Sequence, residues 1–436
     1  MLYGQCVGDA LGLLTEFLTK KEAKQYFGKL KDCLEFEHKS LVDNPHQNRW
    51  NVGDWSDDSD QTILILISLT ENKGEVNCRD IARRFLDWMK RGIPELGDYV
   101  GMGIGATTDR VIHHGSFLDD PMAAAESIWR EGQGKVAPNG AVMRTSALGI
   151  HRFHDMDHVT KNAADVAKIT HFDPRCQASS VAVSVAIAIM LQKKERHFNK
   201  AEGYNVPAII QDSYDIAVKF IEIEEQKREL LSCMKCSDLK QLKLDESGKI
   251  GYTFKTLGSG FWALKQNDFR KAITKIVLQG GDADTNACVA GALLGCKLGI
   301  EAIPESWRNK LKHKDWLEQQ IQKALESDED ICCINYYSHG TSCKECPAGY
   351  YGINCSDVCS TSYYGIGCTT KCECSPCHHI YGCMMITTVK QAIQMINTVK
   401  MEPTILCVHN YYCSSFVRLF DYDRIVIEQR FDSIFF

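Results

Sequence analysis

Twenty-one cysteines lie along this 436-residue chain, and their placement divides it into two parts that cannot share one kind of fold. Eight are scattered through residues 1–330, mostly in apolar company, whereas eleven crowd between Cys332 and Cys383; Cys407 and Cys413 follow. Scattered thiols read as a domain of a reducing compartment, and dense cysteine as a disulfide framework. The two signals point to different compartments. Within the dense stretch, Tyr351-Gly352-Ile353-Asn354-Cys355 returns thirteen residues later as Tyr364-Gly365-Ile366-Gly367-Cys368, and Cys359 returns as Cys372. A short repeat of Gly and Cys predicts a stapled, loop-rich module with too little apolar content for its own core. Cys343/Cys346 and Cys374/Cys377 are also Cys-x-x-Cys pairs, so a zinc site is the alternative, although the repeat favours disulfides. The expected organisation is a helical domain over residues 1–325, a linker over 326–342, the Cys-rich segment over 343–383 and a tail over 384–436 without a readable motif.

The first part carries helical patterns almost throughout and no convincing run of alternating strands, which predicts an all-α fold. Asp80–Arg91 places Ile81, Phe85, Trp88 and Met89 at helical spacing, and Asp212–Ile223 does so with Tyr214, Ala217, Phe220 and Ile221. The apolar run over 176–191 suits a buried central helix better than a strand. Its Ser and Gln content and its length fall short of the roughly 20 apolar residues of a membrane span. Residues 286–298 repeat small side chains at Ala287, Gly291 and Gly295, a stripe along which another helix can approach closely. Apolar residues at 44% and charged residues at 24% are ordinary globular usage. A net charge of −6 without a long basic run argues against a nucleic-acid partner, and the start Met1-Leu2-Tyr3-Gly4-Gln5 lacks a signal-peptide pattern. A soluble domain of the cytoplasm is the expectation for this part, with the Cys-rich segment in conflict.

Two constellations carry chemistry. Trp55-Ser56-Asp57-Asp58-Ser59-Asp60-Gln61-Thr62 opens an apolar helix. One acid and a hydroxyl there serve as helix caps, but three Asp in four residues repel one another beyond that need and suit a hard cation such as Mg²⁺ or Ca²⁺. More than two hundred residues later, Gly280-Gly281-Asp282-Ala283-Asp284-Thr285-Asn286 again sets carboxylates and a hydroxyl at the start of a buried helix. Together the two starts can supply both halves of a two-metal oxygen cage. Three further segments read as substrate walls: the glycine-spaced Gly4–Gly12 followed by Glu16; the loop Gly101-Met102-Gly103-Ile104-Gly105; and Pro138-Asn139-Gly140-Ala141-Val142-Met143-Arg144, a turn with exposed backbone amides. Thr170-His171-Phe172-Asp173 precedes the central helix and could cap it or line the site.

The set GDALG with Glu16, Ser56-Asp57-Asp58, NGAVMR, THFD and GGDADTN, in this order, resembles the ADP-ribosylglycohydrolase superfamily over roughly residues 1–325. The resemblance implies a compact all-α fold, a centre of two Mg²⁺ ions (Mn²⁺ in their place), and hydrolysis of the bond between ADP-ribose and a side chain or small acceptor. It implies metal ligation by Ser56, Asp57, Asp58, Asp282, Asp284 and Thr285, and catalysis by Glu16 and Asp57. Substrate binding falls to Asn139, Gly140, Ala141, Val142 and Met143, to His171, and to the glycine loop at Gly103 and Gly105; Asp60 receives no role. An ADP-ribosylated protein or an ADP-ribose derivative is the expected partner, without nucleic acid or membrane. The alternative is a catalytically silent, crystallin-like relative serving as a structural or ADP-ribose-binding protein. The Cys-rich segment is foreign to that superfamily and resembles the short EGF-like repeats of multiple-EGF proteins, which implies protein contacts through it.

Overall fold

The computed structural model describes residues 1–327, 335–339, 342–352, 355–375 and 377–383. The expected tail over 384–436, most of the linker, and Cys332, Cys333, Cys407 and Cys413 lie outside the described residues. Packing divides the chain into a helical unit, Met1–Ile334 with Ser338–Cys343, and a Cys-rich unit, Asn335–Tyr337 with the residues from Lys344 onward. The helical unit holds α1 (Leu2–Gly12), α2 (Lys20–Phe27), α3 (Asp57–Glu71), α4 (Cys78–Arg91), α5 (Ala106–Ile112), α6 (Pro121–Glu131), α7 (Met156–Lys168), α8 (Pro174–Gln192), α9 (Val206–Ala217), α10 (Glu224–Lys235), α11 (Thr253–Leu264), α12 (Phe269–Val277), α13 (Ala283–Leu298), α14 (Glu305–Lys310) and α15 (Lys314–Ser327). Among the described residues up to Ser327 its strands are one short hairpin, Phe198–Asn199 with Gly203–Tyr204. The unit is all-α, as the periodicity predicts.

Local chemistry explains the helix bounds. Asn77 caps α4 by accepting from the Asp80 N–H, Ile81, Ala82, Phe85 and Trp88 turn inward, and Gly92 ends it at a φ of 62°. The helix expected over Asp212–Ile223 starts earlier: Asn205 caps α9 by accepting from the Ala208 N–H, Pro207 sits in the first turn, and a 3₁₀ turn over Val218–Phe220 replaces its end. The run expected as a central helix forms α8, capped by Asp173. By length and composition α8 could cross a membrane, but it is mostly buried inside the protein, and its Val181, Val183, Val185 and Ile187 join one apolar core. A second core gathers around α1, α12 and α13.

The closest helix contact positions the site. A Cβ built on Gly4 would lie 2.3 Å from the Gly291 carbonyl oxygen, on Gly8 2.1 Å from that of Ala287, and on Gly12 2.2 Å from the Asp284 Cα. The small stripe of α13 is thus filled by the glycine stripe of α1, backbone on backbone. This corrects the reading of Gly4–Gly12 as a substrate wall, because those glycines face a helix. The contact brings the end of α1 onto the start of α13.

The Cys-rich unit is held by Cys346–Cys355, Cys359–Cys368, Cys372–Cys377 and Cys374–Cys383. Cys374 and Cys377 therefore take different partners rather than sharing a zinc ion. The thirteen-residue repeat appears as two hairpins, Tyr350–Tyr351 with Asp357–Val358 and Tyr363–Tyr364 with Thr370–Lys371. Its only deeply buried described side chains are Cys346 and Cys359, so disulfides replace the core it lacks. The eight cysteines from Cys6 to Cys296, those of the helical unit among the described residues, are free thiols.

Candidate active site

The first half of the site is the start of α3. Ser56 is its N-cap, its Oγ accepting from the Asp58 N–H at 3.4 Å. Further donors at this helix start go to Asp9, a carboxylate of α1 with no exposed surface. The Ser56 N–H donates to its Oδ1, and the Ser59 N–H and hydroxyl to its Oδ2, at 3.0, 3.0 and 2.6 Å. A carboxylate opposite a helix N-terminus is electrostatically favoured, yet burial outweighs those bonds and pushes the Asp9 carboxyl up to about 6. Asp60 accepts from the indole N–H groups of Trp55 and Trp88, both at 2.8 Å, tying α3 to α4. Burial raises it to about 7 against both bonds. With Asp9 and Asp60 occupied in this way, Asp57 and Asp58 are left to face the site.

The second half is the start of α13 and the loop after α1. Gly281 receives the Phe17 N–H on its carbonyl at 2.7 Å and donates its own N–H to the Leu18 carbonyl at 2.8 Å. This clip draws Glu16, Asp282 and Asp284 together, with one oxygen of each within 4.8 Å of the others. Thr285 joins the halves by donating to Asp58 Oδ1 at 3.3 Å. Glu16 is held on its far side by His46, whose Nε2 lies 2.6 Å from Oε2. The His46 ring packs against Phe17 and Trp50. The side chain of Asn139 donates to Asp282 Oδ2 at 3.0 Å and to Thr256 at 2.9 Å, so Asn139 orients a carboxylate.

The loop that follows presents backbone. The Asn139 N–H donates to the Gly251 carbonyl and the Met143 N–H to that of Asn139, but the N–H groups of Gly140, Ala141 and Val142 have no backbone acceptor among the described residues. Three consecutive amides of this kind form an anion cradle. The side chains of Ala141, Val142 and Met143 are core, and the Met143 carbonyl is taken by Gln5 at 2.9 Å. His171 lies beneath the loop: a Cβ on Gly140 would come within 2.9 Å of its Nε2. Burial, with the nearby Arg144 guanidinium, holds His171 well below the ordinary imidazole range. On the other side, Gly103, at a φ of 94°, brings backbone so close to Asp57 that a Cβ would lie 2.6 Å from its Oδ1, while Gly105 caps α5 in open space. Asp57 Oδ2 accepts from Gln61 at 2.9 Å.

Burial, then mutual repulsion, pushes Asp57, Asp58 and Asp284 well above the usual carboxylate range. Burial likewise raises Glu16 against the pull of His46. Asp58 Oδ2 and Asp284 Oδ1 are buried with no hydrogen-bond partner among the described residues. Orphaned buried carboxylate oxygens, one on each helix start and surrounded by other hard oxygens, fit divalent cations of the Mg²⁺ kind.

Asp9, Gln61 and Thr170 belong to this architecture and lie inside motifs singled out from sequence without receiving a role of their own, whereas His46 lies in none of them. For Asp9 a signal exists, since it is the only acid in an otherwise apolar helix. His46 carries none, because its partner lies thirty positions away.

Residues 1–332 match the ADP-ribosylglycohydrolase family. Among relatives, the ADP-ribosyl-dinitrogen reductase glycohydrolase of Rhodospirillum rubrum is 25% identical over 74% of this chain and 92% of its own length. The ADP-ribosylarginine hydrolase Tri1 of Pseudomonas putida is 21% identical over 74% and 76%, and the ADP-ribosylhydrolase ARH3 of Xenopus tropicalis 24% over 74% and 93%. A solved structure titled as an ADP-ribosylglycohydrolase-related protein complex is 23% identical, covering 74% of this chain and 94% of its own, with a TM-score of 0.49. The chain belongs to the ADP-ribosylglycohydrolase family, a family of glycosidase-type hydrolases.

Proposed function

We propose that this chain hydrolyses the glycosidic bond between ADP-ribose and a side chain or small acceptor, with two Mg²⁺ ions (or Mn²⁺) held by Asp57, Asp58, Asp282, Asp284 and the hydroxyls of Ser56 and Thr285. The observation that carries this reading is the pair of orphaned carboxylate oxygens, Asp58 Oδ2 and Asp284 Oδ1, buried on two helix starts that are distant in sequence yet near enough for the carboxylates to repel each other. Such ions, when bound, would supply orientation of the ribose hydroxyls and Lewis-acid activation of a water. Glu16, braced by His46, would serve as the general base. The amides of Gly140, Ala141 and Val142 receive the diphosphate, and His171 and Gly103 bound the substrate on either side. A silent, crystallin-like role is disfavoured because every ligand carboxylate is present. The crossed pairs Cys372–Cys377 and Cys374–Cys383, with nine-residue loops at the other bridges, support an EGF-like reading of the Cys-rich unit and a role in protein contacts.

The test is release of free ADP-ribose by the full chain from arginine-linked and serine-linked ADP-ribosylated peptides, with Mg²⁺ and with EDTA. Metal-dependent release from one of them supports the hydrolase and names its linkage. No release, together with no calorimetric binding of ADP-ribose, overturns it.

A further inference from the structure

Arg144 has no exposed surface and, among the described residues, no hydrogen bond or ion pair to a carboxylate. Its Nη1 donates to Gln61 Oε1 at 2.7 Å and its Nη2 to Thr170 Oγ1 at 2.6 Å, and the guanidinium lies 4.7 Å from the Phe85 ring centroid. A cation buried among neutral partners is costly and calls for a reason beyond packing.

The reason lies in what a guanidinium can do, which is only to donate. Facing Arg144, Gln61 must present its oxygen, so its NH₂ group is turned to Asp57 Oδ2 at 2.9 Å. On the other arm, the Thr170 oxygen accepts from Arg144, and its own buried proton then needs an acceptor. The one in reach is His171 Nδ1 at 2.7 Å. If His171 carried its proton on Nδ1, the Thr170 proton would be stranded in a buried site. Nδ1 is therefore the acceptor and Nε2 the protonated nitrogen, and Nε2 is the atom beneath Gly140 and its row of amides.

We propose that Arg144 is a positioning residue that sets the hydrogen-bond polarity of both ends of the site: through Gln61 it turns an amide donor onto Asp57, and through Thr170 it holds His171 as an Nε2–H donor toward the diphosphate oxygens on the 140–142 loop. The substrate class in this statement rests on the reading above; the polarity of the two arms does not. Thr170 and Gln61 test it without emptying the core as Arg144→Met would. The full-length protein, ¹⁵N-labelled at histidine and free of metal, is examined by long-range ¹H–¹⁵N spectroscopy, with His171→Gln assigning the signal. The wild type is expected to show a single Nε2–H tautomer. Thr170→Val, which keeps the shape and removes the hydroxyl, is expected to mix the tautomers and weaken ADP-ribose binding about tenfold, raising KM more than it lowers kcat. Thr170→Ser restores both. Gln61→Leu is expected to leave the tautomer intact and shift the Mg²⁺ half-saturation. An Nδ1–H tautomer in the wild type, or a Thr170→Val spectrum unchanged from it, overturns the proposal. Failure of the peptides to be hydrolysed strikes the substrate reading alone, because the spectra need no turnover.

Discussion

Gly8→Ala is a one-carbon change whose effect follows from the contact between α1 and α13. The added Cβ would sit 2.1 Å from the Ala287 carbonyl oxygen and 2.6 Å from its carbon, both backbone atoms. Ordinary contact begins near 3.4 Å, so the helices must part by roughly 1.3 Å locally, since a packed interior has no spare space to absorb the methyl. Parting loosens the Gly4–Gly291 and Gly12–Asp284 contacts on either side, and a gap of ~0.5–1 Å already forfeits a quarter to a half of a contact's dispersion energy. Overpacking of this kind costs about 1–3 kcal/mol, and no side chain is at hand to rotate away, which places Gly8→Ala at the upper end. The roughly 1 kcal/mol that Ala gains over Gly in a helix offsets part of it. A net loss of about 2 kcal/mol is expected. Gly28→Ala is the control, with an αR backbone and only the Lys24 Cβ at 3.8 Å, and should match or exceed the wild type. Urea unfolding followed by tryptophan fluorescence measures both. Because Gly12 abuts Asp284, Gly8→Ala should also weaken the rise of Tm on adding Mg²⁺. A Gly8→Ala protein with the wild-type midpoint and the wild-type Mg²⁺ response would refute the idea that this backbone contact holds the two halves of the site together.

Asp284→Asn should abolish metal-dependent hydrolysis by a hundredfold or more while raising the Tm of the metal-free protein, because it removes one of several mutually repelling buried carboxylates; scanning fluorimetry with EDTA and with Mg²⁺ separates the two effects. Asp60 stands near 7 in the folded protein and near 3.8 unfolded. A raised carboxyl pKa contributes stability that is fully present below pH 4 and is lost as pH climbs through 7, by about 4 kcal/mol at ~1.4 kcal/mol per unit. In metal-free protein, Asp60→Asn should flatten that part of the profile of urea midpoint against pH, and an unchanged slope would contradict it. Alkylation in denaturant without reductant, followed by peptide mapping, should modify Cys6, Cys33, Cys78, Cys176, Cys233, Cys236, Cys288 and Cys296, and recover Cys346–Cys355, Cys359–Cys368, Cys372–Cys377 and Cys374–Cys383 as linked pairs. Reduction should then leave ADP-ribose release by the same chain intact.

Helix identity, the buried character of α8 and the two acid-rich helix starts are legible in the sequence because each is a local matter. Helical period, capping and the spacing of small residues depend on backbone dihedrals and on neighbours three or four positions away. So is the division at the cysteines, since a Gly- and Cys-rich repeat cannot bury a core. What lies beyond reach is partnership. Gly4, Gly8 and Gly12 form a visible stripe, and so do Ala287, Gly291 and Gly295, yet nothing local says that each stripe is the other's partner. Read alone, the first suggests a substrate wall.

The polar residues make the same point more sharply. Asp57, Asp58, Asp282 and Asp284 announce themselves by crowding, whereas Asp9 is the single acid of its helix and Gln61, Arg144 and Thr170 sit within longer motifs that give no sign of their partners. Whether such a group caps a helix, as Asp9 does for α3, or relays a hydrogen bond, as Gln61 does between Arg144 and Asp57, depends on which donor or acceptor lies within about 3 Å. That distance is set by the packing of segments 47 or 83 positions apart in the chain. Sequence determines which groups are buried and what bonds they can make, because burial follows hydrophobic pattern and bonding capacity follows chemical type. The tertiary structure alone decides with whom they make them, because hydrogen bonds are short and directional and only the packed fold brings distant helices within their reach.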